Sequence, residues 1–155
     1  MTDNLEQKTM ATLDIVTDET RYPVDWAALA RLIERGGLNA RDVDQLRQSY
    51  RNSAFCYWGY LEGKLVATAH AISDFTYASY LSDVVVDPDL QGRGLGDQLM
   101  RRICEDLRPY GKLFIYAVPD KIDFYRRYDF HLLHTGMVTA TPDRLQAMQQ
   151  KGYID

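Results

Sequence analysis

The stretch VVVDPDLQGRGLGD, residues 84–97, decides how this 155-residue chain folds. Its three consecutive valines favour a strand, and Asp87-Pro88 ends that strand because proline cannot donate the next ladder hydrogen bond. The apolar residues that follow recur at every fourth position, as an amphipathic helix requires: Leu95, Leu99, Ile103 and Leu107. Three alternate glycines, at positions 92, 94 and 96, join the two elements. The stretch therefore predicts a strand, a glycine-rich turn and a helix packed on a sheet.

The glycine-rich turn has the chemistry of an anion site. Glycine allows backbone N–H groups to approach a ligand closely, and a helix N-terminus adds unpaired donors and partial positive charge. A nucleotide triphosphate loop would need Gly-Lys followed by Ser or Thr, and a dinucleotide fingerprint would need glycine in place of Asp97. A purely structural connection is the alternative, but three glycines beside Arg93 at a helix start favour phosphate binding.

Composition indicates one globular domain. Hydrophobic residues make up 46% of the chain and charged residues 26%, which is the balance of a packed protein and not of a disordered one. A chain of 155 residues fits a single domain. We expect that domain to span residues 13–155, after a flexible N-terminal segment of residues 1–12.

Charge, hydropathy and cysteine content exclude several kinds of partner and site. Lys plus Arg number 18 and Asp plus Glu number 22, a net charge of −4, so we expect no nucleic acid partner. No apolar run approaches the ~20 residues of a bilayer helix, and the first residues lack a signal peptide's apolar core. We therefore expect a cytoplasmic protein with no membrane partner. The two cysteines, Cys56 and Cys104, predict reduced core thiols and no metal site.

The remaining pattern predicts the order β α α β β β α β α β, a mixed α/β fold with helices packed on a sheet. The turn Glu62-Gly63-Lys64 joins a hairpin, and Asp25 is the expected N-cap of the first helix. The predicted elements are a strand at 13–16, a helix from Trp26 to Gly36, a helix through Val43, Leu46 and Tyr50, strands at 54–61, 65–72, 80–86 and 112–118, a loop at 74–79, a short helix at 119–128 and a last strand at 137–140.

Two motifs resemble those of a known family. The run Gln91-Gly92-Arg93-Gly94-Leu95-Gly96 resembles the Q/R-x-x-G-x-G/A signature of the GNAT superfamily of N-acetyltransferases. Residues 123–130 resemble its second signature, an aromatic-Tyr pair that begins a helical turn ending near Gly-Phe. The resemblance spans about residues 13–140 and implies the acyl-CoA N-acyltransferase fold, with a mostly antiparallel central sheet splayed in the middle and flanked by helices.

By this resemblance the cofactor is acetyl-CoA, and the site needs no metal. The strands at 80–86 and 113–118 would separate, so that backbone groups of Val84 and Val86 are free to bind the pantetheine arm as a missing strand would. Amides from Gly92 to Asp97 would hold the pyrophosphate, while Gln91 fixes the turn and Arg93 faces either the phosphates or solvent. The implied cofactor-binding residues are Val84, Val85, Val86, Gln91, Gly92, Arg93, Gly94, Leu95, Gly96, Asp97 and Phe124.

The resemblance also implies that Tyr125 is the general acid. A phenol with a reference pKa near 10 stays protonated at neutral pH and can donate to the departing CoA sulfur. The chain departs from the family in two places: Asp129 stands where glycine is usual, and Val118-Pro119 stand where asparagine is expected before the helix. Asp83 and His70 lie near the expected cleft, but neither is the expected base. Backbone capping or a cross-strand contact is the favoured role of the aspartate, and a hydrogen-bonded, partly buried imidazole is that of the histidine.

The sequence predicts the acceptor of the acetyl group less closely than it predicts the cofactor. Patterning in residues 52–84 is similar to that of the GNAT branch that acetylates small amines, such as serotonin. Seven aromatic residues concentrate here, and they fit either an amine pocket or plain strand propensity: Phe55, Tyr57, Trp58, Tyr60, Phe75, Tyr77 and Tyr80. We expect an acetyltransferase acting on a small primary amine. The alternatives are a protein amino group as acceptor, or a regulatory module that binds acyl-CoA without turnover. The family resemblance also suggests a homodimer.

Overall fold

The computed structural model describes residues 11–155. The flexible segment predicted at residues 1–12 lies almost wholly outside them. The chain divides into two compact units, one ending at Ile115 and one comprising Tyr116–Asp155. The first unit holds a sheet and three helices, and the second holds two helices. One domain over residues 13–155 stays a prediction.

The elements follow the predicted order up to the end of the sheet. In the first unit they are β1 (Asp14–Val16), α1 (Trp26–Arg35), α2 (Val43–Arg51), β2 (Phe55–Leu61), β3 (Lys64–Ser73), β4 (Ala78–Val86), α3 (Leu95–Leu107) and β5 (Lys112–Phe114). In the second unit they are α4 (Ile122–Arg126) and α5 (Pro142–Gln150). Short 3₁₀ turns occupy Pro88–Leu90, Arg108–Tyr110 and Pro119–Lys121.

The sheet has five strands in the order β1-β2-β3-β4-β5. The first four pair antiparallel, and β4 and β5 pair parallel. The expected mixed α/β fold with a mostly antiparallel sheet and flanking helices is therefore confirmed.

Helices cover both faces of this sheet. Asp25 and Asp42 cap α1 and α2, because each side chain accepts a hydrogen bond from the backbone N–H three residues later. Trp58 packs in the core that these two helices form with the sheet, whereas the hydroxyl of the preceding Tyr57 donates to Asp106 on α3. Since consecutive strand side chains point to opposite faces, α1 and α2 lie on one face and α3 on the other.

Helix α3 has the apolar face that the fourfold spacing predicts. Its buried residues are Leu95, Leu99, Met100, Ile103, Cys104 and Leu107. Cys104 is therefore a core thiol, as predicted, and Cys56 is a half-buried free thiol whose Sγ donates to the carbonyl of Tyr50. Burial raises the pKa of Cys56 to about 11, which keeps this sulfur protonated.

Two predictions about the C-terminal third are wrong, and one helix there was missed. The strand predicted at 112–118 ends at Phe114, and its residues are half-buried or exposed instead of buried, because it lies at the sheet edge and pairs with β4 alone. No strand forms at 137–140, where Met137 is 98% exposed: apolar residues favour a strand only where they pack on a half-buried surface. Helix α5 was not predicted, although Thr141 and Pro142 carry the start signal of a helix.

Candidate active site

Strand β4 has an open edge along two thirds of its length. It pairs with β5 only from Ala78 to Tyr80, and in the described part of the chain no strand lies on that side of residues 81–86. The N–H of Asp87 donates to the carbonyl of Val66 on β3 at 2.7 Å. Because main-chain groups alternate between the two edges of a strand, those of Val86 and Val84 point to the open edge. Because β5 ends at Phe114, the separation predicted between strands at 80–86 and 113–118 stays a prediction.

The third predicted valine has a different place. The side chain of Val85 is 3% exposed and packs in the core formed with α1 and α2. Its main-chain groups point toward β3, where it pairs with Thr68. Val85 therefore fixes the strand on the helices, while its two neighbours present hydrogen-bonding groups.

The glycine turn places amide groups beside this edge. Gly92 and Gly94 have φ angles of +81° and +76°, which other residues rarely adopt. Gly94 is the N-cap of α3, and no side chain caps the helix. The first-turn N–H groups of a helix lack partners inside it and are directed out of its N-terminus. This donor set fits a diphosphate.

The other predicted residues of the turn contribute in different ways. Gln91 and Arg93 have exposed side chains. The side chain of Leu95 is buried in the core, so its main-chain N–H is what it offers a ligand. Asp97 lies in the first turn of α3 and accepts a hydrogen bond from Arg101 at 2.9 Å.

The predicted general acid lies in the second unit, on α4. The rings of Phe124 and Phe130 contact the Tyr125 ring edge to face, at 5.1 Å and 5.8 Å between centroids. Burial raises the pKa of Tyr125 to about 12. Asp129, where the family usually has glycine, has a φ of +63°. The left-handed turn after α4 therefore forms with aspartate, which tolerates this conformation better than most residues do.

A polar network around Asp83 and His70 lies next to the open edge, and sequence reasoning missed two of its members, Arg41 and Ser53. The Asp83 carboxylate accepts from Arg41 Nη2 at 2.6 Å, and its other oxygen lies 2.8 Å from His70 Nε2. The opposite ring nitrogen of His70 lies 2.7 Å from Ser53 Oγ, and its ring stacks on Tyr50 at 4.1 Å. Of the two roles predicted for Asp83, backbone capping and a cross-strand contact, the structure contains the cross-strand contact to His70.

The charge state of Asp83 follows from these contacts. Burial raises the pKa of its carboxyl, but the hydrogen bond from His70 and the charge of Arg41 outweigh burial, so the pKa lies below its ordinary value. Asp83 is therefore ionised at neutral pH. Ser, His and Asp are linked in the order of a nucleophilic triad, but the Ser53 hydroxyl donates to the carbonyl of Ser49 at 2.8 Å. The network holds β3, β4 and α2 together.

A second buried carboxylate follows β4. Asp87 is 2% exposed and accepts hydrogen bonds from Arg35 at 2.8 Å and 3.3 Å. It also accepts from the backbone N–H of Asp89 at 3.0 Å. No local pattern links these arginines to the aspartates, since 52 residues separate Arg35 from Asp87 and 42 separate Arg41 from Asp83.

The aromatic residues divide between core and surface. Tyr57, Trp58 and Tyr60 are buried, as strand propensity alone would place them. Phe55, Phe75 and Tyr110 instead form a cluster with ring centroids 5.3–5.7 Å apart, and Phe75 is half exposed.

None of the helices in 11–155 has the length and hydropathy of a membrane span. The same residues contain no group of three or more His, Cys, Asp or Glu side chains placed to hold a metal ion.

Comparisons with known proteins agree with this geometry. The family model described as "Acetyltransferase (GNAT) family" matches residues 20–130. The chain is 34% identical over 116 residues to Serotonin N-acetyltransferase 2, chloroplastic, of Oryza sativa subsp. japonica, which covers 69% of this chain and 56% of that protein. It is 34% identical over 120 residues to Histone acetyltransferase TAP1 of Glycine max, covering 69% and 52%. The chain thus spans about half the length of these two curated relatives.

A solved structure shares the fold. An acetyltransferase of the GNAT family from Xanthomonas campestris pv. campestris superposes with a TM-score of 0.70 at 25% identity, covering 86% of this chain and 96% of that one. The family model covers most of the chain, including the glycine turn and the motif around Tyr125. The chain therefore belongs to the GNAT acetyltransferase family.

Proposed function

We propose that this protein transfers the acetyl group of acetyl-CoA directly to a small primary amine. The observation that carries the proposal is the open edge of β4 next to an uncapped glycine turn. Main-chain groups of Val84 and Val86 would bind the pantetheine arm as a missing strand would, and amides of residues 92–97 would bind the diphosphate. Two reactants held in attack geometry avoid ~7 to 11 kcal/mol of barrier, so positioning supplies much of the catalysis.

Tyr125 is the proposed general acid. A neutral phenol donates a proton to the thiolate that leaves when the amine has attacked the thioester, and the amine loses a proton in the same reaction. The family motif and the raised pKa of Tyr125 support this role. The ion-paired Asp83 carboxylate is bound on both oxygens, so it is not proposed as the base.

One observation favours a small amine over a protein acceptor. Arg35, at the end of α1, and Arg41, in the connection to α2, bind Asp87 and Asp83, so this segment lies against one face of β4. A covered face leaves less room for an extended peptide than an open groove does. The chain is similar to a serotonin N-acetyltransferase and to a histone acetyltransferase at the same identity and coverage of this chain, so similarity does not separate the two acceptors. A protein amino group is therefore the second candidate.

Release of free thiol from acetyl-CoA tests the proposal over a panel of aromatic and aliphatic amines and lysine peptides. We expect turnover with at least one small amine, at a kcat/KM at least tenfold above that of any peptide. Turnover with peptides alone would favour the protein acceptor. Binding of CoA with no turnover on any acceptor would favour a regulatory module. Light scattering of the same sample tests the proposed homodimer.

The raised pKa of Tyr125 predicts the alkaline side of the pH profile. An acid with a pKa of about 12 keeps its proton through pH 10, whereas an ordinary tyrosine is about half ionised there. We therefore expect kcat at saturating amine to stay within about twofold between pH 8 and pH 10. Stopped assays after brief exposure to each pH measure this, with the recovery of activity at pH 8 as the control for unfolding. A loss of kcat with a midpoint below pH 10 contradicts the assignment.

A further inference from the structure

Residues 35–41, the end of α1 and the connection to α2, contact residues 83–87 at three successive points. Arg41 binds Asp83, and Gly36 packs so closely on Val85 that a Cβ there would collide with the valine side chain. Arg35, the last residue of α1, binds Asp87. Positions 83, 85 and 87 alternate along the chain, as residues on one face of a strand do. These contacts hold one face of residues 83–87. The same stretch of chain includes the part of β4 whose edge pairs with no strand within residues 11–155.

The first contact lies at a bulge in β4. Thr68 pairs with Val85 and His70 pairs with Ser82, so β4 has one more residue than β3 at this point. Asp83 in the bulge has a φ of +51°, a left-handed conformation that costs free energy outside glycine. Arg41 and His70 bind its two carboxylate oxygens and hold it there. A bulge redirects the strand that contains it, so this one sets the direction of Val84.

The last contact lies where β4 passes into the glycine turn. The Asp87 side chain is only 3% exposed and receives two hydrogen bonds from Arg35. Its main chain is fixed too, because its N–H donates to Val66 on β3. Asp87 also accepts from the N–H of Asp89, in the 3₁₀ turn that leads to Gln91. Arg35 therefore fixes the start of the turn through a buried carboxylate.

We propose that Arg41 and Arg35 are positioning residues that act on opposite halves of the bound cofactor. Arg41, through Asp83 and the bulge, aims the main chain of Val84 at the pantetheine arm. Arg35, through Asp87, places the amides of the glycine turn at the diphosphate. The inference rests on the proposed function in one respect, that the ligand of this edge and turn is CoA.

Binding measurements distinguish effects on the pantetheine half of CoA from effects on its nucleotide half, and they need no turnover. Calorimetry would compare CoA with adenosine 3′-phosphate 5′-diphosphate, which is CoA without its pantetheine arm. We expect Arg41→Gln to weaken CoA about tenfold and to leave the affinity for the nucleotide half unchanged. We expect Arg35→Gln to weaken both ligands about tenfold, the effect of one misplaced hydrogen bond. Arg31→Gln, on an exposed position of α1, should change neither affinity.

Further variants distinguish a loss of positioning from misfolding of the protein. Removing one partner of a buried ion pair leaves an uncompensated charge, so Arg41→Gln/Asp83→Asn and Arg35→Gln/Asp87→Asn remove both charges of each pair. Arg41→Lys and Arg35→Lys keep the charge and should restore part of the lost affinity. Hydrogen exchange gives an independent reading: with CoA bound, Arg41→Gln should lower amide protection at residues 84–86 only, and Arg35→Gln at residues 92–97.

The outcomes distinguish this inference from the proposed function. If both variants lose affinity for CoA and for the nucleotide half by the same factor, the positioning roles are overturned. They are also overturned if neither variant loses affinity for either ligand and the Tm is unchanged. Wild-type protein that binds CoA and acetylates no amine refutes the proposed function, while the division of affinities still supports the inference. Wild-type protein that does not bind CoA overturns both.

Discussion

Replacing Tyr125 by phenylalanine should lower kcat by about 100-fold or more and leave the affinity for CoA within about twofold. A positioned general acid contributes ~10²- to 10⁴-fold to a rate, and a loss of 100-fold corresponds to about 2.7 kcal/mol of transition-state stabilisation. The substitution removes only the hydroxyl, so the ring contacts with Phe124 and Phe130 are kept. Steady-state kinetics at saturating amine and calorimetry with CoA measure the two quantities.

The matched control is Tyr153→Phe. Tyr153 also lies in the second unit, and burial raises the pKa of its hydroxyl as well. It contacts the ring of Tyr116 and has no proposed part in the reaction. We expect its kcat to equal that of the wild type. If Tyr125→Phe keeps full turnover across pH 7 to 10, another group protonates the thiolate.

Sequence reasoning works well where one local pattern decides the structure. The fourfold spacing of leucines and the adjacent glycines gave α3 and its turn, and the structure contains both. The hairpin around Gly63 and the cap at Asp25 are likewise local. Each of these features depends on residues within a few positions of one another, so the local sequence pattern predicts it.

Long-range pairing is where local reasoning fails. Nothing near Arg41 indicates that it meets Asp83, and the bulge that brings them together is a property of the register between β3 and β4. The strand predicted at 137–140 does not form for a related reason, because strand propensity takes effect only where a partner strand is present. The position of Asp129 shows the converse: a departure from the family motif keeps the turn, because aspartate also adopts a positive φ.

Replacing Gly94 by valine should raise the Kd for CoA by about 100-fold. Gly94 has a φ of +76° and is the N-cap of α3, and a β-branched residue there is strained by about 1–3 kcal/mol. Relief of that strain moves the turn and its amides away from the diphosphate. Each hydrogen bond to a charged group contributes about 1.5–3 kcal/mol, so loss of one or two accounts for the expected change in affinity.

Gly63→Val is the control that separates strain from binding. Gly63 has a φ of +78°, close to that of Gly94, and a Cβ on it would meet no atom within 4 Å. It lies in the hairpin turn between β2 and β3, away from residues 84–97. Both variants should therefore lower Tm by similar amounts, but only Gly94→Val should weaken CoA. If the two variants bind CoA equally well, the amides around Arg93 do not hold the diphosphate, and the proposed cofactor site is refuted.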